Sequence, residues 1–212
     1  MNRLPTWVRQ HIVGLRVLLL FTVICGIVYP LVMTGIAQVA FHKQADGSLV
    51  SSNGRTVGSS LLCQEFVNAK GNPLPQYFQP RPSAAAQAGV KNDYGCNPEY
   101  SAASNLGPTN PVLIQDIKQR QKQIEAFDHV KVSQIPPDAV TASGSGLDPG
   151  ISPQNAAIQV DRIAAARNTS PAAVQALVKQ YTEGRPLGFL GEPQVNVLLL
   201  NIALDQKYPA GH

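Results

Sequence analysis

Acidic residues are missing from the first 41 positions of this 212-residue chain, and no charge of either sign falls between Val17 and Phe41. The second absence decides where the chain lives. At 1.5 Å per residue, 25 helical residues extend roughly 37 Å, enough to cross a hydrocarbon core of about 30 Å with some tilt. Other absences exclude chemistry. The chain has no glycine-rich loop ending in Gly-Lys-Ser/Thr, no His-Glu-x-x-His and no clustered Cys/His spacing, so nucleotide-loop and metal-hydrolase readings have no support. His11, His42, His129 and His212 are scattered. Aromatics make up only 6% of the chain and no basic patch interleaves with them, which argues against nucleic acid. Cysteine is scarce too, with Cys25 in the apolar run and Cys63 and Cys96 beyond it.

What is present begins with Arg3, Arg9 and Arg16 ahead of the run. A cleaved secretory signal shares that start, but its apolar region is only about 7 to 15 residues long. The nearest cleavage triplet, Ala37, Gln38 and Val39, puts valine where a small residue is wanted, so a retained anchor is expected. Three arginines precede the span, whereas Lys43 and Asp46 cancel after it. The positive-inside bias therefore places residues 1–16 in the cytoplasm as a short N-terminus, 17–41 in the membrane and 42–212 outside. Three of the four net positive charges belong to the anchor, since 14 basic and 13 acidic side chains follow Phe41, a balance of +1. Outside, disulfides persist, and Cys63 and Cys96 either pair or remain two free thiols.

The expected fold class is α+β: a single N-terminal transmembrane helix followed by one extracytoplasmic α+β domain. Asn53-Gly54 between Ser48–Ser52 and Thr56–Gln64 predicts a two-residue hairpin. Seven prolines between Gly71 and Pro111 predict a long irregular segment that binds something or is disordered. Asn110-Pro111, Ser152-Pro153 and Ser170-Pro171 each set a capping side chain before a proline, predicting three helix starts. Leu113, Ile117, Ile124 and Phe127 form the buried stripe of the first. Val174, Leu177, Val178 and Tyr181 line up on the third, which should stop near Gly184. Val195 to Leu204 reads as a last helix capped by Asn196, with Leu198, Leu199 and Ile202 inward.

Ser143-Gly144-Ser145-Gly146 resembles a nucleophile turn, but neither serine has glycine two residues away on both sides, and a flexible Gly/Ser turn is the plainer reading. More conspicuous are Tyr77 to Ser83 and Ser104 to Pro111. Pro80 and Pro82 restrict Arg81, and Arg and Tyr often dominate interfaces. Tyr77, Phe78, Gln79, Arg81, Ser83, Asn105 and Asn110 are candidate partner contacts. The alternative is that Tyr77 and Phe78 plug the core while Arg81 caps local carbonyls. In the span, Thr22, Gly26, Tyr29, Pro30, Met33 and Ala37 are candidates for packing against partner helices, because small residues allow close approach in lipid. Pro30 should kink the helix.

Five segments carry a family resemblance: Val28 to Gly35, Tyr77 to Ala84, Ser104 to Pro111, Val140 to Pro149 and Gly188 to Pro193. Together, in order, they resemble the C subunit of the Kdp-type potassium-transporting ATPase. The resemblance implies a bacterial inner-membrane complex with a channel-like potassium-binding subunit, a P-type ATPase subunit that forms an aspartyl phosphate, and a very small accessory subunit. This chain lacks the Asp-Lys-Thr-Gly phosphorylation sequence and should be a non-catalytic subunit. The family is described as a catalytic chaperone that raises the ATP affinity of the hydrolysing subunit, in a transient ternary complex with ATP. Cys63, where the family usually has glycine, and Cys96 depart from it, so a disulfide would be particular to this chain.

Topology strains direct nucleotide binding, because only about the first 16 residues face cytosolic ATP. Assembly, and gating of the extracellular mouth of the potassium-conducting subunit, are expected instead, with ATP and potassium handled by partners and any effect on ATP affinity indirect. A membrane-tethered extracytoplasmic ligand-binding protein is the alternative, and a tethered hydrolase using Ser143 or Ser145 a more distant one.

Overall fold

A computed structural model describes residues 5–210; Arg3 and His212 lie outside the described residues. The chain forms two compact units, Met1–Ser48 and Leu49–His212.

In the first unit one helical run extends over Thr6–Ala40, 35 residues. It comprises α1 (Thr6–Val23), a wider π turn (Ile24–Val28) and α2 (Tyr29–Ala40), followed by the short α3 (His42–Ala45). The helix starts well before the uncharged run, so Arg9 and Arg16 lie on it. Among its described residues none is buried, and Leu18 and Leu31 are among the exposed apolar side chains. An apolar surface all round a helix this long is what lipid or partner helices cover. Pro30 does not break it. Proline has no N–H for the carbonyl four residues back and crowds that carbonyl; the ladder widens, and the Tyr29 amide donates to the Ile24 carbonyl five residues back, while Val28 and Tyr29 keep helical dihedrals.

The second unit opens with β1 (Leu49–Ser52) and β2 (Arg55–Ser59), antiparallel. Asn53 and Gly54 take φ of +52° and +76°, the left-handed pair the tight turn requires. The second strand is shorter than expected: after Ser59 the chain turns away, and the Cys63 amide donates to the Leu147 carbonyl (3.0 Å). Residues 60–110 hold no helix or longer strand, only an isolated bridge between Val67 and Pro73.

Then follow α4 (Pro111–Asp128), α5 (Pro137–Val140), β3 (Gly150–Ile151), α6 (Pro153–Ala166), α7 (Pro171–Gln180), β4 (Thr182–Glu183), β5 (Gln194–Asn196) and α8 (Val197–Lys207). Asn110, Ser152 and Ser170 accept from the Val112, Asn155 and Ala173 amides, and in each case proline is the first helical residue. The three short strands pair antiparallel in the order β3-β5-β4. They and α6, α7 and α8 enclose a core that includes Phe78, Ile151, Ile163, Val174, Leu200 and Leu204.

Two boundaries differ from expectation. The helix α7 ends at Gln180, not near Gly184, because Tyr181 packs on the core and Thr182 pairs with Val195. Val195 is in a strand, and although Asn196 caps α8 through the Leu199 amide (3.1 Å), the helix is buried on several sides. Its deepest residues are Val197, Leu200 and Leu204, whereas Leu199 and Ile202 are half-buried.

Candidate functional site: a clamped segment beside a cleft

Residues 75–79 form no ladder with any strand, yet their five carbonyls and the Phe78 and Gln79 amides are met by side chains of α6 and α8 and by Arg167 just past the end of α6. Arg162 donates to the Pro75 and Tyr77 carbonyls, and Arg167 to the Gln76 carbonyl (2.8 Å). Asn201 accepts from the Phe78 amide (2.9 Å) and donates to its carbonyl (3.0 Å). Gln159 does the same for Gln79, at 2.8 and 3.3 Å. A buried peptide group left unpaired is costly, so these amides and guanidinia stand in for a neighbouring strand. Behind them Arg162 pairs with Asp128 (2.7 Å), and Gln159 donates to Asn155, which donates to Asp138.

Within the chain, the residues of Tyr77 to Ser83 have separate surroundings. Phe78 is fully buried in the core. Tyr77 donates its hydroxyl to Asp205 (3.1 Å) and lies under the Arg167 guanidinium. The Gln79 side chain donates to the Phe66 and Leu74 carbonyls. Arg81 neither stands free nor chiefly caps carbonyls: it forms an ion pair with Asp148 (3.0 Å), and the Ala142 carbonyl is at the outer limit of hydrogen bonding (3.5 Å). Ser83 donates to the Gly146 carbonyl (2.7 Å) and accepts from the Ala85 and Cys96 amides. Asn105, exposed at φ +51°, donates to the Ala103 carbonyl, and the Asn110 side chain is taken by the helix cap.

The Gly/Ser segment is a hydrogen-bonded turn. Ser143 is buried, its amide donates to the Pro82 carbonyl, and its hydroxyl accepts from the Gly146 amide (3.0 Å). Ser145 accepts from the Leu147 amide and lies 3.3 Å from Asp148. Among the described residues the hydrogen-bond partners of the two hydroxyls are each other, neighbouring amides and the Asp148 carboxylate, with no histidine on either serine. Gly146, at φ +74°, has no room for a side chain: a Cβ there would sit 2.6 Å from the Ala102 carbonyl oxygen. Cys63 and Cys96 form a disulfide beside this turn, while Cys25 is a free, exposed thiol in the helical run.

Next to the clamped segment lies a cleft of about 380 Å³ lined by Glu65, Arg81, Tyr94, Arg120, Gln123 and Phe127, among others. Burial first, and the nearby Asp93 charge second, push the Glu65 carboxyl above its usual range. Folding therefore favours its neutral form, and the stability this contributes is complete below the unfolded-state pKa near 4.5 and lost as pH rises through the higher folded-state value. Glu65→Gln is expected to raise Tm at pH 7.5 and leave it unchanged at pH 4; equal shifts at both would show that the charge is not the cause. Among the described residues no group of three His, Cys, Asp or Glu could hold a metal ion.

Thr22, Gly26, Tyr29, Pro30 and Met33 lie in the helical run around the π turn, with Tyr29 and Met33 exposed and open space around Gly26. Sequence reasoning passed over Gln159, Arg162, Arg167 and Asn201. A signal existed for Asn201, an amide inside the apolar run Val195 to Leu204, because a buried polar group has to find a partner.

Among the described residues one long apolar helix is followed by a mixed helix-and-sheet domain, a layout that fits a single-pass membrane protein. The chain belongs to the KdpC family, whose model, described as K+-transporting ATPase, c chain, matches residues 11–206. It is 51% identical over 192 residues to the potassium-transporting ATPase KdpC subunit of Sorangium cellulosum, covering 91% of this chain and 95% of the relative. With the KdpC subunit of Geobacter sulfurreducens it shares 47% identity over 197 residues, 92% and 97% of the two chains. With that of Kineococcus radiotolerans it shares 46% over 206 residues, 97% and 98%.

Proposed function

We propose that this chain is an accessory, non-catalytic subunit of an ATP-driven potassium uptake complex in the bacterial inner membrane. The observation that carries the proposal is the family match, which runs from the membrane helix through the end of the mixed domain. Its partners are a channel-like potassium-binding subunit, a P-type ATPase subunit and a small accessory subunit. The helical run packs against partner helices through the stretch from Thr22 to Met33 that contains the π turn.

The N-terminus faces the cytoplasm and residues 42–212 face outward. The arginines ahead of the span support this orientation, as does the Cys63–Cys96 disulfide, since such bonds persist in oxidising compartments. The domain then assists assembly and gates the extracellular mouth of the potassium-conducting subunit. The chaperone effect on ATP affinity is indirect in this reading, and ATP and potassium are bound by partners. Nucleotide crosslinking to residues 49–210 of the full chain at cellular ATP levels would overturn that part.

Purification in mild detergent from the native host grown at very low potassium tests the whole. Copurification of a P-type ATPase and a potassium-channel-like chain is expected, with potassium-stimulated ATPase activity lost when this chain is removed. A lone chain without ATPase would favour a tethered ligand-binding protein using the cleft at Glu65 and Arg81.

A further inference from the structure

The connection from β4 to β5 carries an exposed apolar tip. At its tip Leu187 and Phe189 are 81% and 72% exposed, the two most exposed large apolar side chains among the described residues of the second unit, and Leu190 beside them is 47% exposed. Their presentation is built. The Gly188 amide donates to the Arg185 carbonyl (2.9 Å) and the Leu190 amide to the Pro186 carbonyl (3.1 Å). Arg185 and Glu192 pair across the base at 2.7 Å. Leu187 sits at φ +54°, a left-handed conformation that branched side chains avoid and that glycine or asparagine would adopt more easily. Exposed apolar side chains on a constrained turn do nothing for the core of their own domain, and contiguous patches of this kind mark interaction sites.

We propose that Leu187, Phe189 and Leu190 form a hydrophobic knob that seats in an apolar hollow on the outer face of a neighbouring membrane subunit of the same complex. The proposal rests on the subunit reading above. Charge argues for a protein hollow over a lipid surface: residues 182–196 carry Glu183, Glu192 and Arg185, a net charge of −1, whereas headgroup binding calls for clustered Lys and Arg. A second copy of this chain fits poorly, because a two-fold contact needs a self-complementary patch and two protruding tips are not complementary.

The test places the photocrosslinking residue benzoylphenylalanine at position 189 of the full chain, in host cells grown at low potassium, and identifies adducts by mass spectrometry. In parallel, Leu187→Asp/Phe189→Asp is compared with wild type for recovery of the complex. The expected result is an adduct with a larger membrane subunit and at least a tenfold loss of recovered complex, since buried apolar anchors carry most of an interface's affinity. The double variant alone should keep the wild-type Tm, both side chains being exposed. Should it unfold, Phe189→Ser and the crosslink still decide. Adducts only with lipid, adducts only with a second copy, or undiminished recovery of the complex would each overturn the knob. If wild type itself brings down no P-type ATPase, the subunit reading fails and the knob with it; if wild type and variant bring it down equally, the knob alone fails.

Discussion

Replacing Arg162 by alanine is expected to destabilise the second unit by about 3 to 5 kcal/mol, the usual cost of stripping one partner from a buried ion pair. The guanidinium and the Asp128 carboxylate are each only 5% exposed. Arg162 also donates to Gln159 and to the Pro75 and Tyr77 carbonyls, and it stacks over the Phe127 ring at 4.3 Å. Its loss takes the Arg162 donor from the Asp128 carboxylate and the Pro75 carbonyl and leaves the Tyr77 carbonyl only the Gln79 side-chain amide at 3.4 Å, and the segment that places Phe78 in the core loses one of its clamps. Lysine should rescue little, since a single ammonium cannot reproduce the planar fork. Burial already pushes the Asp128 carboxyl up against the pull of Arg162. Without Arg162 that carboxyl rises further and takes up a proton, so the cost of the variant should be smaller near pH 5 than at pH 8: a raised folded-state pKa contributes stability that is lost as pH rises through it. Urea unfolding of the full chain in mild detergent measures both effects. Arg162→Met/Asp128→Leu should cost less than Arg162→Ala alone. A cost below about 1 kcal/mol for Arg162→Ala would show that the clamp does not matter.

Reduction of the Cys63–Cys96 disulfide should be nearly as damaging. The bond joins residues 33 apart in sequence, and cross-linking a loop of that size stabilises by about 3 to 4 kcal/mol in the chain-entropy account. It ties the segment after the hairpin to the loop whose Cys96 amide donates to Ser83. Cys63→Ser/Cys96→Ser, or the wild type in reductant, should melt roughly 10 °C lower, at about 2 to 4 °C per kcal/mol for a unit of this size. Cys25 stays free in both cases and serves as the internal control for thiol counting. An unchanged Tm would mean that the close packing of Ser83, Gly146 and Leu147 holds this region without the bond. Labelling by a membrane-impermeant maleimide after reduction of intact cells would report on which side of the membrane the pair resides.

Several features could be read without the fold because their causes are local or compositional. The span follows from 25 consecutive uncharged residues, a property of composition alone. The turn at Asn53-Gly54 and the helix starts at Asn110, Ser152, Ser170 and Asn196 depend on a side chain and an amide no more than three positions away, so the sequence by itself determined them. Only the tertiary structure decided the rest. That Tyr77 to Ser83 is an inner belt, with Phe78 in the core and Arg81 held by Asp148, depends on partners 67 to 123 positions distant. So does the burial of Arg162, which no helical period could foretell because its acceptors are carbonyls of a segment 85 to 87 residues earlier. The deep face of α8 escaped the pattern for a related reason: a helix covered on several sides has no single apolar stripe to read. Local rules reach one turn of chain, and the clamp exists only once chain folding has brought distant polar groups together in a place without water.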